Sequence, residues 1–123
     1  MARKISFSAA SAYFRTPNER PMITYEITSQ VRSDLTEAYE AYMRNRHIDD
    51  VLGTGYFASA SFSRSTEGRY RIRYYAFDQA ALDTYLKERA AELRKHFSEQ
   101  FPEGVELTRE NWAVIQYWPT KGA

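Results

Sequence analysis

Residues 53–77 read GTGYFASASFSRSTEGRYRIRYYAF, two strand-like runs on either side of a Ser-Thr-Glu-Gly turn at 65–68. The second run alternates, with Tyr70, Ile72, Tyr74 and Ala76 on one side and Arg69, Arg71, Arg73, Tyr75 and Phe77 on the other. A period of two is that of a strand with one buried face, and the turn between the runs makes them a β-hairpin. What decides the fold is that this hairpin lies between two helical signals rather than beside further strands.

Upstream, SDLTEAYEAYMRNRH (33–47) carries Leu35, Ala38, Tyr39, Tyr42, Met43 and Arg46 at helical spacing. Ser33 or Asp34 is its expected N-cap, and Glu37 three residues after Asp34 completes a capping box. Downstream, Asp78 is the expected cap of a second helix with Leu82, Tyr85, Leu86, Ala90, Leu93 and Phe97 as its apolar stripe, and Pro102 forbids its continuation. The outermost segments complete the pattern. MITYEITSQV (22–31) sets Ile23, Tyr25, Ile27 and Val31 against Thr24, Glu26 and Thr28, and VELTRENWAVIQYW (105–118) supplies a last strand, best defined from Trp112. The order β-α-β-β-α-β predicts an α+β ferredoxin-like sandwich, a four-stranded antiparallel sheet with both helices on one face.

A chain of 123 residues forms one domain, able to bury roughly two thirds of its unfolded surface. It contains no cysteine, which removes disulfides, thiolate nucleophiles and cysteine-based zinc sites. No apolar run approaches the roughly 20 residues of a membrane span, and the expectation is a soluble, cytoplasmic protein. Residues 1–21, MARKISFSAASAYFRTPNERP, hold four basic residues against one acidic one, so the rest of the chain is slightly acidic. They read as an extension outside a domain of residues 22–118, with 119–123 as a tail. The extension is explained by an upstream start before a working Met22, by a flexible arm, or by a transit-type segment; the first two are preferred, since nothing else points to an organelle.

The open face of the sheet, with Glu26, Arg71, Arg73, Tyr75 and Trp112 on it, is the expected homodimer face, because the final segment is apolar on both sides. The same element order occurs in RNA-recognition motifs. EGRYRIRYYAF (67–77), however, has an acid where their third-strand signature has a basic residue and Arg where it has its first aromatic, so nucleic acid is not the expected partner.

RNRHIDDVLGTGY (44–56) raises the question of chemistry. His47 with Asp50 offers two ligands at most on one helical face, below the three or four of ordinary zinc sites, so no metal is expected; no cofactor motif is present either, since Gly53-Thr54-Gly55 follows a helix instead of preceding one and Gly53 reads as a left-handed C-cap. His47 as an acid or base is the remaining catalytic candidate, with Tyr25, Tyr39, Tyr42 and Tyr74 as hydroxyls lining a pocket between sheet and helices. The competing reading is an aromatic core with a helix-end histidine.

The MITYEIT strand, HIDDVLGTGYFASA and YRIRYYAFDQAALDTYLKERAAELR resemble a bacterial family, domain of unknown function 4286, over residues 22–118. The motif residues are His47, Ile48, Val51, Leu52, Thr54, Gly55 and Phe57, followed by Asp78, Leu82 and Tyr85. The resemblance implies a ferredoxin-like domain similar in plan to dimeric α+β barrels, which include small monooxygenases and haem-dependent enzymes. It brings no activity, cofactor or catalytic residue with it. The resulting expectation is a homodimer that binds a small apolar or aromatic molecule near His47; the alternatives are a monooxygenase-like enzyme with His47 as acid/base, and RNA binding through Arg71, Arg73 and Tyr75.

Overall fold

β-Branched and aromatic residues alternating with polar ones place β1 (Ile23–Val31) at the centre of the sheet, paired antiparallel on both sides. The computed structural model describes residues 21–121; the extension expected before the domain falls, except for Pro21, outside the described residues, as do Gly122 and Ala123 of the tail. The other strands are β2 (Phe57–Thr66), β3 (Arg69–Ala76) and β4 (Val105–Ala113), in the order β2-β3-β1-β4. Two split βαβ units interleave, which is the ferredoxin-like α+β plan that the sequence predicts.

The β2–β3 turn depends on Gly68, at φ 82°. A Cβ there would sit 2.8 Å from the Val31 carbonyl oxygen, and the Val31 N–H donates to the Gly68 carbonyl at 2.7 Å. The hairpin tip is thus sewn to the end of β1, and only glycine fits.

Between β1 and β2 runs a helical rod in three parts: α1 (Thr36–Tyr42), a π turn (Met43–His47) and α2 (Ile48–Leu52). The Ile48 N–H donates to the Met43 carbonyl, five residues back, which widens the turn. The expected capping box does not form. A 3-10 turn at Ser33–Leu35 precedes α1, and the Asp34 carboxylate accepts from Arg32 Nε at 2.6 Å instead of capping backbone, because Arg32 lies within reach in the extended segment just before it. Gly53 is right-handed (φ −64°), and the left-handed residue is Gly55 (φ 91°), two positions later where the chain turns into β2.

The second helical region is also divided. Asp78 caps α3 (Gln79–Glu88) as expected, its carboxylate accepting from the Ala81 N–H at 2.8 Å. Arg89 (φ −124°) then breaks the helix before α4 (Ala90–Gln100). The last strand begins at Val105 and ends at Ala113, so the expectation that it is best defined from Trp112 is corrected. Its pairing register follows β1 from Val31↔Val105 to Ile23↔Ala113, where β1 itself ends. Residues 114–120 continue without regular structure, and Ile115 and Trp118 are exposed.

Tyr25, Tyr39, Tyr70, Ile72, Tyr74, Leu82, Tyr85 and Leu93 form the core between sheet and helices. The aromatic rings stack and tilt at 4.9–6.3 Å, as the Tyr39–Tyr70 and Tyr25–Phe57 pairs define. Among the described residues no helix is long and apolar enough to cross a membrane.

Candidate functional site

The helical layer covers the sheet unevenly. The π-containing rod packs over β2, α3 reaches β1 and β3, and α4 passes along the β4 side, leaving a cavity of about 460 Å³. Tyr25, Ile27, Ile72 and Tyr74 form its floor. Met43, His47 and Val51 line it from the rod, Tyr85 from α3, and Leu93, Arg94, Phe97 and Phe101 from the second helical region. Leu107 and Arg109 close the β4 side. A few hundred Å³ with mainly apolar walls is the size and character of a small-molecule site.

Of the pocket residues expected from the sequence, Tyr25, Tyr39, His47 and Tyr74 line this cavity. Tyr42 does not. It stacks behind His47 instead, ring centroids 5.7 Å apart and 26° between planes, while Phe97 packs against the imidazole at 5.6 Å. Met43, His47 and Val51, four residues apart, all line the same wall.

His47 is half-buried, and among the described residues neither ring nitrogen has a hydrogen-bond partner. Burial between aromatic rings pushes its pKa down to about 4; Asp50 opposes the shift and His96 adds slightly to it. The ring is therefore neutral near pH 7 and presents one donor and one acceptor.

The tyrosine hydroxyls divide into two kinds. Tyr39 OH and Ser29 Oγ share a hydrogen bond of 2.7 Å, and Arg94 Nη2 donates to Tyr25 OH at 2.8 Å. Tyr74 and Tyr85 are 2% and 3% exposed, yet neither hydroxyl has a hydrogen-bond partner among the described residues. Burial raises Tyr74 well above the ordinary phenol range and Tyr85 to about 12, with Arg94, Arg109 and Arg89 opposing the shift at Tyr85. Both phenols are protonated at neutral pH.

Tyr85, Arg94 and Arg109 were not among the residues expected at the site. Arg109 had a readable signal, since it follows Val105 and Leu107 at the strand period and so falls on the covered face. Arg94 had only its place beside Leu93 on the apolar stripe. Among the described residues no group of three His, Asp or Glu side chains is placed to hold a metal ion.

On the opposite face of the sheet, Arg73 Nε is 2.9 Å from Glu26 Oε2, which also accepts from Thr24 Oγ1 at 2.9 Å. Glu110 lies directly across from Glu26 on β4, and Arg71 and Trp112 complete the surface, with Tyr75 next to Trp112. Trp112 is 56% exposed and its indole N–H donates to Glu110 Oε1 at 3.0 Å.

The family model described as domain of unknown function 4286 matches residues 22–115. The chain belongs to this family. The DUF4286 domain is similar in fold to a point mutant of SnoaB from Streptomyces nogalater, described as a cofactor-independent oxygenase (13% identity, TM-score 0.65, 81% of this chain and 99% of that one). It is also similar to a protein from an uncultured marine organism described as a dimeric ferredoxin-like protein (15%, 0.61, 80% and 100%) and to MupZ from Pseudomonas fluorescens (14%, 0.61, 80% and 71%). At these identities the likeness is one of fold. No curated protein matches the DUF4286 chain by sequence.

Proposed function

We propose that the protein binds a small aromatic or apolar molecule in the cavity between sheet and helices. The observation that carries this reading is the set of polar groups without partners among the described residues in a largely apolar site: the hydroxyls of Tyr74 and Tyr85 and the ring nitrogens of His47. A buried hydroxyl left without a partner costs about 1–3 kcal/mol, and native proteins satisfy nearly all such groups. A ligand with hydroxyl or carbonyl groups on an aromatic body satisfies them and fills the apolar walls together.

Catalysis at His47 has less support. A general base works best with a pKa near the operating pH, and His47, at about 4, holds a proton weakly. A neutral imidazole that orients a ligand by hydrogen bonding agrees with its surroundings; the likeness to SnoaB keeps an oxygenase-like reaction as the second reading.

The open face supports homodimer formation as part of the proposal. Phe77, Trp112 and Trp118 are exposed, with Tyr75 beside Trp112 on the face, and a structural relative is described as dimeric. RNA binding fits this face poorly, because Arg73 is neutralised by Glu26 and Glu110 adds acid next to it.

Native mass spectrometry of the purified chain reports both points. The expected result is a dimer that retains a small molecule, with retention lost in a Leu107→Trp variant that fills the cavity from the exposed edge strand. A monomer at high micromolar concentration removes the dimer, and the same retained mass in the filled variant removes the binding site. Oxygen consumption with aromatic hydroxy compounds, abolished by His47→Gln, is the result that would raise the enzyme reading above the binding one.

A further inference from the structure

The cavity is apolar inside and positively charged at its opening. Arg94, Lys95 and Arg109 line it, and among the described residues no Asp or Glu does. Lys95 is tied to Glu99 along α4 at 3.8 Å. The two arginines are not. Among the described residues neither forms an ion pair, and the one side-chain partner of Arg94 is the neutral hydroxyl of Tyr25.

The sequence arranges this. On a helix the neighbours of Arg94 are three and four residues away, and these are Ala90, Ala91, Phe97 and Ser98. On β4, an edge strand, the position across from Arg109 is Ile27. Neither helical spacing nor strand register offers a carboxylate, although the chain carries 16 acidic residues. Both guanidiniums also act on Tyr85 deep in the cavity, where their charge favours the phenolate against burial. The acids felt nearby, Asp50 at His47 and Glu99 at Tyr42, do not line the cavity.

We infer that the ligand carries an anionic group, a carboxylate or sulfonate on an aromatic or apolar body, held at the cavity mouth by Arg94 and Arg109. Guanidinium is suited to this, since its planar fork meets such groups with two parallel hydrogen bonds. The inference rests on the cavity being a binding site and adds the chemical class of what it binds.

Two fluorescent probes test it with the full chain: 8-anilinonaphthalene-1-sulfonate and N-phenyl-1-naphthylamine, one aromatic body with and without the anion. Binding sensitive to Leu107→Trp is assigned to the cavity, which separates it from adsorption on the open face. The wild type is expected to bind the sulfonate about tenfold more tightly than the neutral probe. Raised salt should narrow that preference, and the Arg94→Gln, Arg109→Gln double variant should erase it chiefly by weakening the sulfonate, whose affinity falls by a larger factor than that of the neutral probe. If the double variant does not fold, Arg109→Gln alone, on the exposed edge strand, is expected to lose a substantial part of the preference, and Arg109→Lys to keep more of it than Gln. Equal affinities in the wild type, or a preference that survives both substitutions, overturn the anion inference and leave the cavity reading intact. A wild type that takes neither probe in the cavity overturns the binding reading itself.

Discussion

Tyr39 and Tyr74 lie in the same aromatic layer, equally hidden from solvent, and differ in one respect. The Tyr39 hydroxyl has a fixed partner in Ser29, which is itself fully buried, and its ring is held by Tyr70, Phe62, Phe97 and Phe101. The Tyr74 hydroxyl, like that of Tyr85, has none among the described residues. Burial alone therefore does not separate a structural tyrosine from one that serves a site; the hydrogen-bond partner does. One end of the layer is closed, while the end at Tyr74 and Tyr85 holds polar groups without partners among the described residues.

The largest expected effect belongs to the closed end. Tyr39→Ala removes a fully buried ring and should cost about 3–5 kcal/mol, read from the urea midpoint; a loss under about 1 kcal/mol would mean that the layer there is not tightly packed. Next is the pH dependence of His47. Its folded pKa of about 4 lies below the ordinary 6.5, so the unfolded chain binds a proton first as pH falls. Stability should be at its full value above about pH 6.5 and decline by about 3 kcal/mol towards pH 4, with a much flatter profile in His47→Phe.

The direct comparison is smaller. Tyr39→Phe leaves the Ser29 hydroxyl buried without its partner and should cost about 1–3 kcal/mol, whereas Tyr74→Phe and Tyr85→Phe remove buried hydroxyls that have no partner among the described residues and should stabilise the ligand-free protein, by up to about 1–3 kcal/mol each. If Tyr74→Phe costs as much as Tyr39→Phe, the contrast between the two ends is lost. If it becomes costly only when a ligand is bound, the contrast is sharpened into a direct measure of the site.

The sequence made the central strands and the α3 cap legible, because β1 and β3 alternate cleanly and Asp78 stands where a strand gives way to a helix. β4 was misread for a physical reason. VELTREN has one face against the cavity and one open, so its alternation is weak, while the apolar residues from Trp112 to Trp118 look more like a strand than the real one does. Their apolarity belongs to a surface. The break at Arg89 was hidden because Arg and Ala are good helix formers. At the site, hydrophobic patterning located the tyrosines and His47 but gave no weight to Arg94 and Arg109, since an arginine on a covered face reads as a surface residue until its neighbours prove to lack acids.

The π turn at Met43–His47 amounts to one residue more than a regular helix would hold. A substitution at His47 changes a side chain, but a single-residue deletion, for example of the exposed Asn45, removes the surplus residue. Five residues in the wide π turn advance the chain by about the same angle as four at the ordinary winding of roughly 100° per residue, so the parts before and after the deletion keep their phase and Met43 and His47 stay on one wall. Such a variant keeps every ring and charge of the site and replaces only the widened turn by a regular one. A deletion that stays folded and keeps ligand retention would identify helical phase, a property carried by no individual residue, as what makes the site; one that loses retention would make the local widening itself part of it.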